Sequence, residues 1–193
     1  MPCNRYQQKD YVYQACFGNV NGHIKSLVCE GVAIRGIARV LKIAPGTVLS
    51  RIRAIAESIV RPKFQEDCPI LEMDELWTYI GRKANDYWLA YALDHSTGQV
   101  VDFVVGKRNK GTPKQLIDCL LDLTPKIIRT DKLTLYQRLI PKGIHRCSAY
   151  CINRIERKNL SIRTHLKGLS RRTICFSRSI TMLESCLRIY FWR

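Results

Sequence analysis

The chain has 193 residues, of which 46% are hydrophobic, enough for one packed domain or for a domain with a small module. Its 32 lysines and arginines outnumber 16 aspartates and glutamates, and the formal net charge of +16 predicts a polyanionic partner, with nucleic acid favoured over a membrane surface. No apolar run approaches the roughly 18 residues of a membrane-spanning helix. The N-terminus lacks the apolar core of a signal peptide, so we expect a cytoplasmic protein.

The nine cysteines raise the question of disulfides or zinc. No two of them form a C-x-x-C pair, their number is odd and the expected compartment is reducing, so buried free thiols are the better interpretation. A zinc site built from His145, Cys147 and Cys151 is a weaker alternative, because zinc needs four ligands and no second pair is present. We expect no zinc.

The first part of the chain predicts a small all-α domain. Residues 1–21 have no clear period, and we expect a short arm there. From residue 22 to residue 60, apolar residues recur at helical spacing in three short segments. The pair Pro45-Gly46 is predicted to break the chain before the third segment, which Thr47 can cap. This pattern indicates a helix-turn-helix, with a generic three-helix bundle as the alternative. The third helix would present four residues to a DNA groove: Thr47, Ser50, Arg51 and Arg53.

A charged, proline-bounded linker at 61–69 precedes a second architecture. Strands are predicted at 71–81, 87–94 and 99–106 and would form an antiparallel meander. A helix at 112–121 leads to a strand at 126–131, which a right-handed crossover would pair in parallel with the first strand. A short helix at 133–139, a strand at 144–149 and helices at about 153–169 and 180–191 follow. The order βββαβαβα predicts an α/β domain (an α+β mixed sheet) of the ribonuclease-H-like arrangement over residues 70–193.

Three acidic residues fall on this framework at positions that point to chemistry. Asp74 lies within an apolar strand, although an aspartate that faces water on an edge strand is the alternative. Asp131 ends a buried strand, where a turn residue or a helix cap would also fit. Glu156 lies at the border of the apolar stripe of the long helix, where a surface salt bridge to Arg157 or Lys158 is the plain alternative.

Together, carboxylates on a strand, a strand end and a helix are what two-metal phosphoryl transfer requires. Mg²⁺ is a hard cation that takes oxygen ligands. In this interpretation Asp74 bridges two Mg²⁺ ions, Asp131 holds one of them and Glu156 the other, with Mn²⁺ as a possible substitute. Arg163, two helical turns beyond Glu156, would contact the DNA backbone.

Four stretches of the chain resemble the InsAB-type transposases of the insertion-sequence-one family: MDELWTYIG, WLAYALD, RTDKLTLY and NRIERKNLSIRTHLKGLSRRTICFSRSI. The stretch VAIRGIARVLKIAPGTVLSRI resembles the DNA-binding region of the same family. The spacing of the acids also fits, with 56 residues between Asp74 and Asp131 (75 to 130) and 24 between Asp131 and Glu156 (132 to 155). Family members are bacterial DDE transposases with a ribonuclease-H-like core. The resemblance implies that Asp74, Asp131 and Glu156 are the catalytic triad.

The chain departs from the family pattern at two places. Lys132 follows the second aspartate where many relatives have glycine, and this lysine would lie near a DNA phosphate. Relatives usually carry an N-terminal zinc ribbon, but Gln8 and Tyr11 stand where its cysteines would be. We therefore expect residues 1–21 to be a degenerate or truncated remnant of the ribbon.

The resemblance implies a transposase that binds the terminal inverted repeats of its element, nicks them to expose 3′-hydroxyls and joins these to target DNA. Its partners would be double-stranded DNA and further copies of the chain, and it would be associated with the bacterial nucleoid. The basic segment around the long helix would track phosphates through these residues: Arg157, Lys158, Arg163, Lys167, Arg171 and Arg172. The alternatives are a non-catalytic DNA-binding repressor and a decayed transposase remnant, which the missing ribbon favours.

Overall fold

Three helices form the first part of the structure. The computed structural model describes residues 13–62, 70–147, 152–170, 173 and 175–193. In it α1 spans Val20–Cys29, α2 spans Ile34–Leu41 and α3 spans Pro45–Ser58. The predicted break at Pro45-Gly46 with a cap at Thr47 is wrong. Pro45 opens α3, because its fixed φ suits the first turn of a helix, and the chain turns earlier, at Lys42, whose backbone is left-handed (φ 53°).

Five strands form one mixed sheet in the order β3-β2-β1-β4-β5. Their bounds are Ile70–Tyr79 for β1, Asp86–Asp94 for β2, Val100–Gly106 for β3, Ile127–Thr130 for β4 and His145–Cys147 for β5. The first three strands pair antiparallel, whereas β4 pairs parallel with β1 and β5 pairs parallel with β4. The predicted meander and the predicted parallel pairing of β4 with β1 are therefore confirmed. Residues 148–149 of the predicted fifth strand lie outside the described residues.

Helices cover both faces of the sheet, as the mixed α/β prediction requires. On one face, α4 (Gly111–Leu121) and α5 (Thr134–Leu139) pack with Leu71, Met73 and Ile128. On the other face, α6 (Asn153–His165) and α7 (Ile180–Trp192) pack with Leu76 and Tyr91. No helix within the described ranges combines the length and the apolar character needed to cross a membrane.

The helix α6 is shorter than predicted. It ends at His165, and a 3₁₀ turn at Lys167–Leu169 takes the place of its expected last turn. The backbone leaves the helical region at Leu166 (φ −98°, ψ 88°). Leu166 and Leu169 are both buried in the cluster between α6, α7 and the sheet, so core packing rather than helical continuity fixes this segment.

The helix α7 contributes to two hydrophobic clusters. Met182 and Ile189 pack among the three N-terminal helices, while Leu183 and Leu187 pack against the sheet. The three-helix unit is therefore attached to the sheet through the C-terminal helix. The domain boundaries expected from the sequence stay predictions, and residues 1–12 of the arm and 63–69 of the linker lie outside the described residues.

Candidate active site

The strand β1 lies in the middle of the sheet, between β2 and β4, so Asp74 is not on an edge strand. The parallel register pairs Glu72 of β1 with Arg129 of β4. Asp74 and Asp131 each lie two residues further along the chain than this pair, and Asp131 directly follows the last residue of β4. Neighbouring strands lie about 4.8 Å apart and residues in register face the same side of a sheet. The negative charge of Asp131 raises the pKa of Asp74, so these two carboxylates lie within electrostatic range of each other.

The helix α6 lies on the face of the sheet to which Asp74 of β1 points, and it carries the third acid, Glu156. The backbone N–H of Ile155 donates to Glu72 Oε2 (2.9 Å), and the side-chain amide of Asn159 donates to Asp74 Oδ2 (2.5 Å). Glu156 is the residue after Ile155, and its side chain is exposed. The helix is thus bound to β1 at Ile155, just before Glu156, and at Asn159, three residues after it.

Asp74 is half-buried, and its surroundings oppose ionisation. Burial is the main cause that raises the pKa of Asp74, and the negative charges of Asp131 and Glu156 raise it further. Hydrogen bonds from the backbone of Glu75 and from Asn159 act in the opposite direction. Asp131 and Glu156 therefore each lie within electrostatic range of Asp74.

Asn159 is a partner of Asp74 that the sequence analysis missed. Its Oδ1 accepts a hydrogen bond from the Tyr91 hydroxyl (2.7 Å), which also donates to the carbonyl of Ile155 (3.2 Å). Tyr91 is fully buried and is the cross-strand partner of Asp74. One signal was present in the sequence, because Asn159 follows Glu156 by three residues and so lies on the same side of the helix.

Asp131 is held by its own loop and by β5. Its Oδ1 accepts a hydrogen bond from the backbone N–H of Leu133 (3.0 Å), so the turn role considered as an alternative is present as well. Its carbonyl oxygen accepts from the Thr130 hydroxyl (2.9 Å) and from the Cys147 thiol (3.1 Å). His145 Nε2 lies 2.8 Å from Thr130 Oγ1. These contacts fix the end of β4 from which Asp131 projects.

The donor set of the three acids suits Mg²⁺, which prefers carboxylate oxygens. Within the ranges that the structure describes, no three His, Cys, Asp or Glu side chains are gathered closely enough to hold a metal ion. The Asn159 amide occupies one side of the Asp74 carboxylate. The described conformation therefore has the right ligand types on the right elements, but the side chains must draw together to coordinate an ion.

A cleft of about 200 Å³ opens beside Glu75, whose side chain alternates with that of Asp74 along β1. Its lining also includes Arg108, Asn109 and Lys110 from the turn between β3 and α4. The guanidinium of Arg108 lies 4.6 Å from the centre of the Trp88 ring. This basic turn next to β1 was not singled out in the sequence.

The residues of α3 that were expected to face outward are not equally exposed. Ser50 and Arg53 are exposed, whereas Thr47 and Arg51 are half-buried. The Thr47 hydroxyl lies 3.0 Å from that of Tyr13, and Arg51 donates to a backbone carbonyl of the segment before α1 (3.0 Å). The segment before α1 therefore makes hydrogen bonds with Thr47 and Arg51, two of the four residues expected to contact DNA.

The expected DNA contacts near α6 also differ in exposure. Three of them are exposed: Lys132, Arg157 and Lys167. Arg163 and Lys158 are half-buried. Lys158 lies 5.9 Å from the centre of the Tyr190 ring, and burial lowers its pKa. Two lie outside the described residues: Arg171 and Arg172.

The expectation of buried thiols is only partly met. Cys29 is buried, but Cys16 and Cys147 are exposed, so the expectation is wrong for these two. Cys147 is the last residue of β5, the short strand at the edge of the sheet, where its side chain is accessible. Cys151, the third member of the zinc alternative, lies outside the described residues.

Known proteins resemble this chain over the same elements. A family model described as IS1 transposase matches residues 68–192, which include the sheet, α6 and all three acids. The InsB protein of insertion element iso-IS1n from Shigella dysenteriae is 38% identical over 118 residues, 61% of this chain and 90% of that protein. The InsB protein of insertion element IS1 from Escherichia coli is 34% identical over 149 residues, 77% of this chain and 84% of that protein.

These matches define the class of the protein as a transposase. Within that class, the chain belongs to the IS1 transposase family. Among solved structures, a chain from a complex of the simian T-cell lymphotropic virus intasome with a PP2A regulatory subunit is 12% identical with a TM-score of 0.41. That match covers 87% of this chain and 65% of the other.

Proposed function

We propose that this chain is a DDE transposase that binds the terminal inverted repeats of its element and catalyses metal-dependent DNA cleavage and strand transfer. The observation that carries the proposal is the parallel pairing of β1 with β4, in which Asp74 and Asp131 each follow the paired residues Glu72 and Arg129 by two positions. Glu156 on α6 is the third carboxylate, and the charges of Asp131 and Glu156 both raise the pKa of Asp74. Membership of the IS1 transposase family supports the same function.

Asp74, Asp131 and Glu156 are the residues that would hold two Mg²⁺ ions, or Mn²⁺ in their place. Bound there, the ions supply Lewis-acid activation of the attacking oxygen and stabilisation of the leaving oxygen. The remaining residues orient these ligands. Asn159 fixes the Asp74 carboxylate, and the backbone N–H of Leu133 fixes that of Asp131.

Cleavage in this proposal is hydrolysis at the end of the element. Water attacks the phosphorus, the bond from phosphorus to the 3′-oxygen breaks, and the products are a 3′-hydroxyl on the element and a 5′-phosphate on the flanking strand. In strand transfer the 3′-hydroxyl attacks a target phosphodiester, so that one phosphorus–oxygen bond forms and one breaks. The target strand leaves as a 3′-hydroxyl that has taken up the proton.

DNA binding is assigned to two basic regions of a chain whose formal charge is +16. The helix-turn-helix of α2 and α3 would recognise the terminal repeats through the exposed Ser50 and Arg53. Three exposed cations would hold DNA phosphates: Lys132 and Arg157, each next to one of the acids in the chain, and Lys167 beyond the end of α6. Pairing of two ends implies a homo-oligomer on DNA and an association with the nucleoid.

The test is strand transfer by the purified protein with Mg²⁺ and a pre-nicked duplex that carries the end of its element. We expect metal-dependent joining by the wild type, its loss in Asp131→Ala, and full activity in Asp122→Ala, an exposed aspartate after α4. DNA binding without joining by the wild type would favour the repressor or remnant alternative. Joining that survives Asp131→Ala would place the metal site on other residues.

A further inference from the structure

Glu72 is a buried carboxylate that lies two residues before Asp74 on the same face of β1. Its exposed fraction is 1%, although it sits in the middle strand of the sheet with no cation on its own strand. A buried charge is costly unless hydrogen-bonding or charged partners compensate it. The hydrogen-bonding partners of Glu72 therefore indicate the structural role of its carboxylate.

One partner is the start of α6. The residue before the helix is Ile152, which provides no side-chain hydrogen bond to the first turn. The early N–H groups of a helix need acceptors from outside the helix. Glu72 Oε2 accepts the N–H of Ile155 (2.9 Å), so an acid on β1 supplies the missing cap. Its negative charge is also favourable at a helix N-terminus.

The other partners tie the same carboxylate to β4. His95, in the turn between β2 and β3, lies with its Nδ1 2.5 Å from Glu72 Oε1. With Nδ1 donating to Glu72, Nε2 of His95 can accept from Arg129 Nη1, which lies 3.3 Å away. Arg129 is the register partner of Glu72 and precedes Asp131 by two residues. The network therefore touches all three elements that carry the acids.

We propose that Glu72 is a positioning residue of the active site, which fixes the first turn of α6 to β1 and β4 and so sets the position of Glu156 relative to Asp74 and Asp131. This inference rests on the proposed function of those three acids. Glu72 is not a further metal ligand, because both of its carboxylate oxygens are engaged within the protein and its side chain is closed off from solvent.

The experiment compares Glu72→Ala and Glu72→Gln with the wild type. Glutamine keeps the size of the side chain and one acceptor oxygen. The Glu72→Gln variant can therefore still be assayed if Glu72→Ala does not fold. The control is Asp102→Asn, another buried carboxylate of the same sheet, which pairs with Arg61 rather than with α6. Two quantities are measured: hydrogen exchange of the Ile155 amide in the metal-free protein, and the Mn²⁺ concentration for half-maximal strand transfer.

In Glu72→Ala we expect the Ile155 amide to exchange roughly tenfold or more faster, because its acceptor is lost. The Mn²⁺ midpoint should rise several-fold while DNA affinity stays the same, and Glu72→Gln should restore part of both quantities. Asp102→Asn should leave both near the wild-type values. Wild-type exchange of Ile155 in Glu72→Ala would overturn the inference, and so would faster exchange with an unchanged Mn²⁺ midpoint.

Wild type and Asp131→Ala are assayed alongside, so that the two proposals fail separately. If the wild type shows no metal-dependent joining, the proposed function fails and the catalytic part of this inference fails with it. If the wild type joins DNA, Asp131→Ala does not, and the Glu72 variants match the wild type in both quantities, the proposed function stands and the positioning role is refuted.

Discussion

Replacing Asn159 by alanine removes the side chain that connects Asp74 with Tyr91. A hydrogen bond to an ionised carboxylate contributes about 1.5–3 kcal/mol net. Water can recover part of this at the half-buried Asp74, so we expect the free energy of unfolding to fall by about 1–2 kcal/mol. For a chain of this size the loss corresponds to a decrease in Tm of roughly 2–8 °C. The Tyr91 hydroxyl keeps the carbonyl of Ile155 as an acceptor (3.2 Å), which limits the loss.

The same variant should need more metal. The hydrogen bond from Asn159 lowers the pKa of Asp74, so its removal raises that pKa further and makes the carboxylate harder to ionise. We expect the Mg²⁺ concentration for half-maximal strand transfer to rise about three- to tenfold at neutral pH, since tenfold corresponds to about 1.4 kcal/mol. The difference should grow as the pH is lowered, because protons then compete more strongly with Mg²⁺ for a carboxylate whose pKa is raised.

The assays are thermal unfolding in the presence of a chelator and a Mg²⁺ titration of strand transfer. Asn153→Ala is the matched control, because Asn153 is an exposed asparagine on the same helix. A double-mutant cycle of Asn159→Ala with Asp74→Ala isolates the coupling between the two side chains. The reasoning is refuted if Asn159→Ala behaves like Asn153→Ala in both assays, or if the coupling energy lies within about 0.5 kcal/mol of zero.

Two further outcomes are expected. Gly31→Ala should lower Tm far more than Gly98→Ala, although both glycines have positive φ (68° and 71°). A Cβ at Gly31 would overlap the carbonyl oxygen of His165, the last residue of α6, whereas the space around Gly98 is open. Equal decreases in Tm for the two variants, measured by thermal unfolding, would mean that the turn after α1 is not in close contact with the end of α6. Asp74→Asn should gain stability relative to the metal-free wild type as the pH rises from about 4 to 8. Folding raises the pKa of the Asp74 carboxyl, so the wild type loses stability as the pH rises from the ordinary pKa of an aspartate through the pKa of Asp74 in the folded protein. Asparagine does not titrate and does not show this loss. Urea unfolding in which the stability of Asp74→Asn relative to the wild type falls with rising pH would contradict this.

Local pattern and general topology rules were enough to predict the sheet. The apolar runs of β1, β2 and β3 are separated by polar turns, so the meander follows from the sequence alone. The crossover through α4 makes β4 parallel to β1. Once that pairing is known, an aspartate inside β1 and an aspartate after β4 become neighbours, which is why two members of the candidate site could be placed without coordinates.

Contacts between distant segments could not be predicted in the same way. Thr47 and Arg51 have the pattern of exposed helix residues, but the segment before α1 covers them, and nothing in the spacing of α3 indicates that segment. Leu166 and Leu169 continue the apolar spacing of α6, so the sequence pattern predicts a helix that runs past His165. The backbone reaches the same core positions through a 3₁₀ turn instead.

The attachment of α6 to β1 depends on a match between two repeat distances. Glu72 and Asp74 are two residues apart on the strand, which corresponds to about 6.6 Å. Their partners Ile155 and Asn159 are four residues apart on the helix, which corresponds to about 6 Å. Because the two separations nearly coincide, both hydrogen bonds can form at once, and together they fix the helix along the strand and against rotation about its own axis. Loss of either contact leaves a single side-chain hydrogen bond between β1 and α6, while the packing of Ile155 and Ile162 still holds the helix on the sheet. Glu156, which lies between the two partners in the chain, would then be less firmly positioned relative to Asp74.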